Sequence, residues 1–223
     1  GDSYADLVIG APYQDVGELV DAGSILVLLG GATGLSSLNA MEFHQDTDGV
    51  PGANEVGDLW GNSLASADFN GDGYDDVIVG APGESIGVIE NAGAFTVMFG
   101  SEQGLNADGS ILFHQGTPGI PGGPEEGDHW AETLTTGDFD GDGYSDLAVG
   151  NPDESIGTKP FTGAVTLLYG WEAGFEISKS KLFHQGSPKM AGGNEPNDKW
   201  GSVLETGDFD GDGFHDLAIG TPN

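Results

Sequence analysis

Several residue types that carry common protein chemistries are missing or scarce in this chain. It has no cysteine and no arginine, and its 5 lysines stand against 37 aspartates and glutamates, giving a formal net charge of −32. Without cysteine, disulfides, thiolate metal ligands and a cysteine nucleophile are excluded. So few cations argue against binding to a nucleic-acid backbone or to an anionic membrane surface. No apolar run reaches the roughly 18 residues that a membrane-spanning helix needs.

Glycine, in contrast, is abundant, with 41 of 223 residues, and it accompanies an internal repeat. A Gly-Asp hexapeptide that begins at Gly1 returns at Gly71, Gly141 and Gly211, without insertion or deletion between the copies. A fixed period of this kind indicates an array of one structural unit. We predict a single array with units at 1–70, 71–140 and 141–210 and the start of a fourth unit at 211–223. A start at Gly1 rather than Met is expected of a mature or cut segment.

Each unit carries four short apolar runs separated by turn residues. The chain shows them at 76–82, at 94–99, in the run that ends in Phe-His-Gln at 113–115, and at Trp60–Phe69. No stretch shows a helical period of useful length. Four short strands in each unit predict an all-β fold, a β-propeller of four-stranded blades with about three blades in this chain. A solenoid is the alternative, although solenoids usually have shorter periods or contain helices.

The strongest chemical signal is the motif Asp-x-[Asp/Asn]-x-Asp-Gly-x-x-Asp, which occurs three times in register. Carboxylates at alternate positions of a tight loop converge on one point, and hard oxygen ligands in that number suit Ca²⁺. The backbone carbonyl of the seventh residue completes each set. The predicted ligands are Asp68, Asn70, Asp72, Tyr74 and Asp76; Asp138, Asp140, Asp142, Tyr144 and Asp146; and Asp208, Asp210, Asp212, Phe214 and Asp216.

These loops differ from an EF-hand, which needs a glutamate at position 12 and a helix on each side. Val79, Val149 and Ile219 stand at that position, inside apolar runs, so we predict a calcium site between two strands. Mg²⁺ is disfavoured because it keeps its waters and takes few protein ligands. The alternative, a hairpin with merely solvated acids, is disfavoured by the three copies in register. A fourth, truncated site, empty or weak, is predicted at Asp2, Tyr4 and Asp6.

These motifs resemble the FG-GAP repeat of the integrin α-subunit β-propeller, and bacterial FG-GAP proteins match most closely. The resemblance rests on Phe69-Asn-Gly-Asp followed by Val-Gly-Ala-Pro at 79–82, with Trp60 as the opening aromatic residue. It covers the whole chain, although Ala131 replaces a glycine of the motif. The resemblance implies four-stranded blades with calcium in the loop between the first two strands. Rings of this family have more blades than this chain supplies, so further blades are expected from additional sequence or from other copies.

Other polar and aromatic residues also recur, and each set has a structural and a functional interpretation. The equivalent histidines lie on different units, so bonding to a neighbouring turn is expected rather than a shared zinc ion; they are His44, His114 and His184. The acidic pairs are expected in turn and interblade hydrogen bonds, with additional cation binding as the alternative; they are Glu55/Asp58, Glu125/Asp128 and Glu195/Asp198. The repeated tryptophans are expected between blades. His129 and Trp171 lie outside the repeat and are expected at the surface, Trp171 as a possible ligand contact.

The favoured hypothesis is a secreted or cell-surface calcium-binding β-propeller that acts as a binding or adhesion scaffold, with Ca²⁺ rigidifying each blade. No catalytic constellation is visible, because no recurrent histidine lies near the repeated Ser85 and Ser155 in the sequence and a Walker-type phosphate loop is absent from it. The alternatives are the propeller part of a secreted hydrolase and a structural subunit of an extracellular assembly. The expected partner is a protein or carbohydrate ligand, without nucleic-acid binding or membrane insertion.

Overall fold

The computed structural model describes residues 4–172 and 174–222, and its secondary structure is almost entirely β. A 3₁₀ turn, η1, spans Ile177–Lys179. The strands are β1 (Leu7–Ala11), β2 (Ser24–Leu29), β3 (Ser36–Phe43), β4 (Ser63–Ala67), β5 (Asp76–Ala81), β6 (Ala94–Phe99), β7 (Asn106–His114), β8 (Thr133–Gly137), β9 (Asp146–Asn151), β10 (Ala164–Leu168), β11 (Gly170–Trp171), β12 (Gly174–Phe175), β13 (Lys181–Phe183), β14 (Val203–Gly207) and β15 (Asp216–Gly220).

The strands form successive antiparallel sheets that follow the order of the sequence. The first blade is β1-β2-β3, the second is β4-β5-β6-β7, the third is β8-β9-β10-β13, and the fourth is the pair β14-β15. The first strands of neighbouring blades lie side by side, β4 against β8 and β8 against β14, as inner strands of a propeller do. The prediction is confirmed: the fold is a partial β-propeller of about three blades.

The second strand of each complete blade is apolar between its terminal residues because neighbouring blades cover both of its faces. All six residues of β5, Asp-Val-Ile-Val-Gly-Ala, are buried, and so are all six of β9. Strands buried on both faces read as continuous apolar runs rather than as alternating patterns. This is why these runs stand out in the sequence between their glycine and proline boundaries.

Each tryptophan that opens a repeat is the largest side chain of a core between two blades. Trp60 packs with Ile25 of the first blade and with Val79 and Met98 of the second. Trp130 and Trp200 belong to the two corresponding clusters farther along the chain. Trp60 and Trp130 have no exposed surface, and the indole Nε1 of each donates to a buried threonine at 3.3 Å. The predicted role as interblade anchors is confirmed.

Several predicted strand boundaries differ from the structure because the backbone turns there. The run Trp60–Phe69 was expected to be extended throughout, but β4 begins only at Ser63. Leu59 and Gly61 adopt positive φ angles of 58° and 93°, which lie outside the β region of an extended strand. The tryptophan therefore precedes the strand and points into the core from a turn. In the second blade β5 ends at Ala81, one residue before the expected end at position 82.

The third blade departs from the others at its outer edge. Where the earlier blades continue into the long strands β3 and β7, this blade has the short hairpin β11-β12 followed by η1. Phe175 of the hairpin packs on Phe69 at 5.1 Å and on Phe113 at 6.0 Å between ring centroids, so it covers the second blade. Trp171 at the start of the hairpin is 43% exposed, as its position outside the repeat predicts.

Candidate metal centre

The three acidic loops occupy the same place in their blades. Each joins the first strand to the second, as β4 to β5, β8 to β9 and β14 to β15. In the second loop Gly141 and Gly143 have φ angles of 76° and 91°, in the left-handed region that side chains disfavour. The glycines let the chain reverse within a few residues, which brings alternate carboxylates to one side of the loop.

Carboxylates organise this loop by accepting hydrogen bonds from its own backbone. Asp138 Oδ1 accepts from the N–H of Gly141 at 2.7 Å, and its Oδ2 accepts from the N–H of Gly143 at 3.0 Å. Asp142 Oδ1 accepts from the N–H of Tyr144 at 2.9 Å. The corresponding bonds are present in the first and third loops. The loop's own hydrogen bonds therefore hold its conformation without a contribution from a ligand.

The last aspartate of the first and second motifs ties the loop to the body of its blade. Asp146 is fully buried. Its Oδ2 accepts from the N–H of Phe139 at 2.8 Å, and its Oδ1 accepts from the N–H of Gly170 at 2.8 Å. Burial above all, together with the charges of Asp140 and Asp138, raises the pKa of Asp146 to about 6. Asp76 makes the equivalent bonds, and burial likewise raises its pKa to about 6.

Three of the predicted ligands in each of two loops converge. Single carboxylate oxygens of Asp138, Asp140 and Asp146 lie within 4.8 Å of one another, close enough to share an ion. The equivalent acids of the third loop form a matching group; they are Asp208, Asp210 and Asp216. Asp142 lies outside its loop's group.

The first loop differs at its third position, where the other two loops have aspartate. Asn70 stands there, and its Nδ2 donates to Asp72 Oδ2 at 3.0 Å. An amide oxygen is also a ligand that Ca²⁺ accepts, so the substitution lowers the negative charge of this loop without removing an oxygen donor.

The predicted truncated site lies partly outside the described residues, because Asp2 is not among them. Asp6 keeps the bond that characterises the ninth position of the motif: its Oδ1 accepts from the N–H of Gly30 at 2.8 Å. Tyr4, at the seventh position, is 48% exposed.

Comparison with known families identifies the unit. The profile of the FG-GAP repeat matches residues 60–98, 130–168 and 200–223, each match beginning at one of the repeated tryptophans. This chain carries FG-GAP repeats. Each match runs from that tryptophan through an acidic loop, so the loops described above are part of the FG-GAP unit itself.

The FG-GAP repeats relate the chain to two kinds of curated protein. It is 33% identical to integrin alpha-PS5 of Drosophila melanogaster over 75% of its length, and 32% identical to integrin alpha-4 of Xenopus laevis over 76%. It is also 33% identical to the phosphatidylinositol-glycan-specific phospholipase D of Rattus norvegicus over 71%. The chain spans less than a fifth of these relatives, at 15%, 15% and 18% of their respective lengths.

The repeated histidines of the FG-GAP units make local hydrogen bonds, as expected. The N–H of His114 donates to Thr117 Oγ1 at 3.2 Å, and its Nδ1 accepts from the N–H of Gly116 at 3.0 Å. The acidic pairs that precede the tryptophans also close turns: Asp128 Oδ2 accepts from the N–H of Glu125 at 2.7 Å. Asp198 does the same for Glu195 at 2.8 Å.

One polar cluster links FG-GAP blades through residues that do not recur in every unit. His129 Nδ1 lies 2.9 Å from Asp153 Oδ2, and Lys199 Nζ lies 2.8 Å from Asp153 Oδ1. Glu132 also approaches His129 and Asp153 closely enough for the three to share an ion. The side-chain bond from Asp153 raises the pKa of His129. The side chain of His129 is 34% exposed, as expected of a surface residue, and in addition it contacts Asp153 from a later turn.

No helix within residues 4–172 and 174–222 combines the length and apolar character that crossing a bilayer requires.

Proposed function

We propose that this chain is part of an extracellular or cell-surface β-propeller in which Ca²⁺, bound in the three acidic loops, rigidifies the blades of a binding or adhesion scaffold. The proposal rests above all on the repetition of one oxygen-rich loop at one place in three successive blades. The proposed ligands are those predicted from the motif, at its positions 1, 3, 5, 7 and 9 in each loop. The integrin relatives support the scaffold role.

Electrostatics supports a bound cation. The carboxylates of Asp138, Asp140 and Asp146 lie within 4.8 Å of one another, and like charges at that separation repel. A divalent cation would replace this repulsion with attraction. Oxygen donors of this number and hardness suit Ca²⁺ better than Mg²⁺, which prefers few protein ligands in strict octahedral geometry.

Calcium removal is the first test. Because the cation would bind only the folded chain, it would stabilise it by RT ln(1 + [Ca²⁺]/Kd), about 2.7 kcal/mol per site at 100 times Kd. We expect a chelator to lower the melting temperature measured by circular dichroism. Added Ca²⁺ should restore it, and Mg²⁺ should restore it less. A melting curve that does not change in chelator would contradict the proposal.

Two substitutions in one loop sharpen this test. Asp138→Ala removes a converging carboxylate that also holds Gly141 and Gly143, so one bound Ca²⁺ should be lost. Asp140→Asn reproduces the residue that the first loop already has at this position, Asn70. It should keep the ion with weaker affinity. Calorimetric titration of the intact chain checks both. Equal Ca²⁺ binding by the wild-type chain and both variants would argue against the loop as the site.

A role within a hydrolase is the second candidate, because the phospholipase D relative matches 71% of this chain. The His129–Asp153 pair is the observation in its favour, since it occurs once rather than in every unit. However, Lys199 also binds Asp153, which suits a tether between blades better than a base. A screen with phosphodiester, ester and glycoside substrates separates the two roles. Turnover that Asp153→Asn abolishes would establish the hydrolase.

A further inference from the structure

A second group of oxygen-bearing side chains lies where the second blade meets the third. Gln115 comes directly after β7 of the second blade, whereas the other members belong to the third blade and the turn that leads into it. All are more than nine-tenths buried. The group consists of Gln115, Asp128, Asn151 and Glu154, with 3%, 3%, 0% and 5% of their surface exposed.

This group is separate from the acidic loops. Strand β9 begins at Asp146, in the second loop, and ends at Asn151, in the new group. Five residues of extended chain span about 17 Å. The two groups therefore lie at opposite ends of the same strand, too far apart to share an ion.

The two amides of the group leave oxygen atoms without partners. Gln115 Nε2 donates to Glu154 Oε2 at 3.1 Å, and Asn151 Nδ2 donates to the same oxygen at 2.6 Å. Gln115 Oε1 and Asn151 Oδ1 are buried and accept no hydrogen bond. A buried polar atom without a partner costs about 1–3 kcal/mol. Two such atoms beside one carboxylate indicate a partner that the surrounding protein groups do not supply.

The charges around Glu154 indicate that the missing partner is positively charged. The neighbouring charges that act most strongly on Glu154 are those of Asp128 and Glu125, and both are negative. Burial raises the pKa of Glu154 to about 7, and it raises the pKa of Asp128 to about 6. A cation placed between these carboxylates would replace repulsion with attraction.

The amides can turn to meet such a cation. Half a turn of a primary amide exchanges its nitrogen and oxygen without changing the space it fills. Both oxygens would then face Glu154, which is unfavourable without a positive charge and favourable with one. A cation therefore accounts for the two unpartnered oxygens together with the two buried carboxylates.

We propose that Gln115, Asp128, Asn151 and Glu154 form a buried Ca²⁺ site that joins the second and third blades. Two carboxylates match a divalent charge, and all four donors are the hard oxygens that Ca²⁺ selects. Backbone carbonyls and water complete the six to eight ligands that Ca²⁺ takes in general. This site does not depend on cation binding by the acidic loops.

The preceding junction contains a partial copy of the site. Gln45 Nε2 donates to Glu84 Oε2, Gln45 Oε1 has no hydrogen-bond partner, and Asp58 is buried beside them. Ala81 stands where the third blade has Asn151, so one oxygen donor is missing. The site of the third blade should bind Ca²⁺ more tightly than its counterpart.

Calcium counting on the intact chain tests the proposal. Equilibrium dialysis at slightly alkaline pH should find one bound Ca²⁺ fewer in Glu154→Gln than in the wild-type chain. Asn151→Ala, which copies the residue of the preceding junction, should weaken the same site about tenfold or more. Glu126→Gln removes an exposed acid near the site and should change nothing. Without Ca²⁺, Glu154→Gln should melt no lower than the wild-type chain, because it removes a buried charge.

The outcomes separate this site from the loops. Loss of one ion in Asp138→Ala but not in Glu154→Gln would overturn the buried site and leave the proposed function intact. Loss in Glu154→Gln alone would support the buried site and contradict the loop. Full Ca²⁺ binding by both Glu154→Gln and Asn151→Ala would mean that the pocket holds a proton or water instead, which also overturns the proposal.

Discussion

Trp130 is the side chain on which the contact between the second and third blades depends most. It is fully buried, its ring lies 5.2 Å from that of Phe95, and its Nε1 donates to Thr166. Trp130→Ala should lower the free energy of unfolding by about 3–5 kcal/mol, because the cavity cannot be refilled by residues of two separate sheets. Urea unfolding followed by tryptophan fluorescence and by circular dichroism measures this loss.

Trp171 supplies the control for that measurement. It is 43% exposed and lies outside the repeat, so Trp171→Ala should change the free energy of unfolding by less than about 0.5 kcal/mol. Equal losses in the two variants would mean that burial between blades is not what makes the repeated tryptophan important.

At the scale of single residues, the sequence predicts the roles of residues that recur in every unit. Recurrence in register indicated the buried tryptophans and the acidic loops, because identical surroundings demand identical side chains. The bond between Asp153 and His129 could not be predicted, since glycine stands at the equivalent position 83 and leucine at 59. The contact between Gln115 and Glu154 spans 39 positions. Only the packing of one blade on the next brings those residues together.

The turn before the third strand of a blade fixes how closely adjacent blades approach. Gly93 has a φ of 86°, and a Cβ there would lie 2.2 Å from the carbonyl oxygen of Trp130. Gly87 in the same connection has a φ of 68°, but a Cβ there would meet no atom within 4 Å. A comparison of the two glycines thus separates the effect of a positive φ angle from the effect of a steric clash with the next blade.

Alanine substitutions at these glycines should therefore differ. Gly87→Ala carries only the left-handed backbone and should cost about 1–2 kcal/mol. Gly93→Ala adds a clash with the backbone of the next blade. This clash should lower the free energy of unfolding by a further amount of about 1–3 kcal/mol. Thermal unfolding of the two variants side by side provides the comparison. If Gly93→Ala is no less stable than Gly87→Ala, close interblade packing at this turn does not contribute to stability.

At the scale of elements, the sequence predicts strands better than their ends. The run at 94–99 coincides with β6 because it is bounded by turn residues on both sides. The start of β4 was placed too early, since an aromatic residue in an apolar context reads as strand whether it lies in the strand or in the turn before it. The hairpin β11-β12 gave no signal, because two-residue strands are too short to show alternation.

For the whole molecule, the acidic residues behind the charge of −32 lie in more than one part of each blade. Part of it lies in the three acidic loops and part at the junctions between blades, on opposite ends of the inner strands. The sequence indicated the first part through its motif. It gave only a weaker indication of the second, because the acids there also close turns, as Asp128 does for Glu125. Burial of Glu154 beside them becomes apparent only in the folded arrangement.

Protection within the array should follow the burial of the four equivalent strands β1, β5, β9 and β15. In a repeat protein each unit is stabilised mainly by its neighbours, so local opening is easiest where a neighbour covers least. Strands β5 and β9 are buried throughout, whereas Leu7 and Ile9 of β1 are 41% and 40% exposed and no residue of β15 is fully buried.

We expect amide hydrogens of β1 and β15 to exchange at least about tenfold faster than those of β5 and β9, equivalent to about 1.4 kcal/mol. Hydrogen exchange followed by mass spectrometry of peptic fragments measures this gradient. Uniform exchange in all four strands would instead show that the blades open together as one cooperative unit.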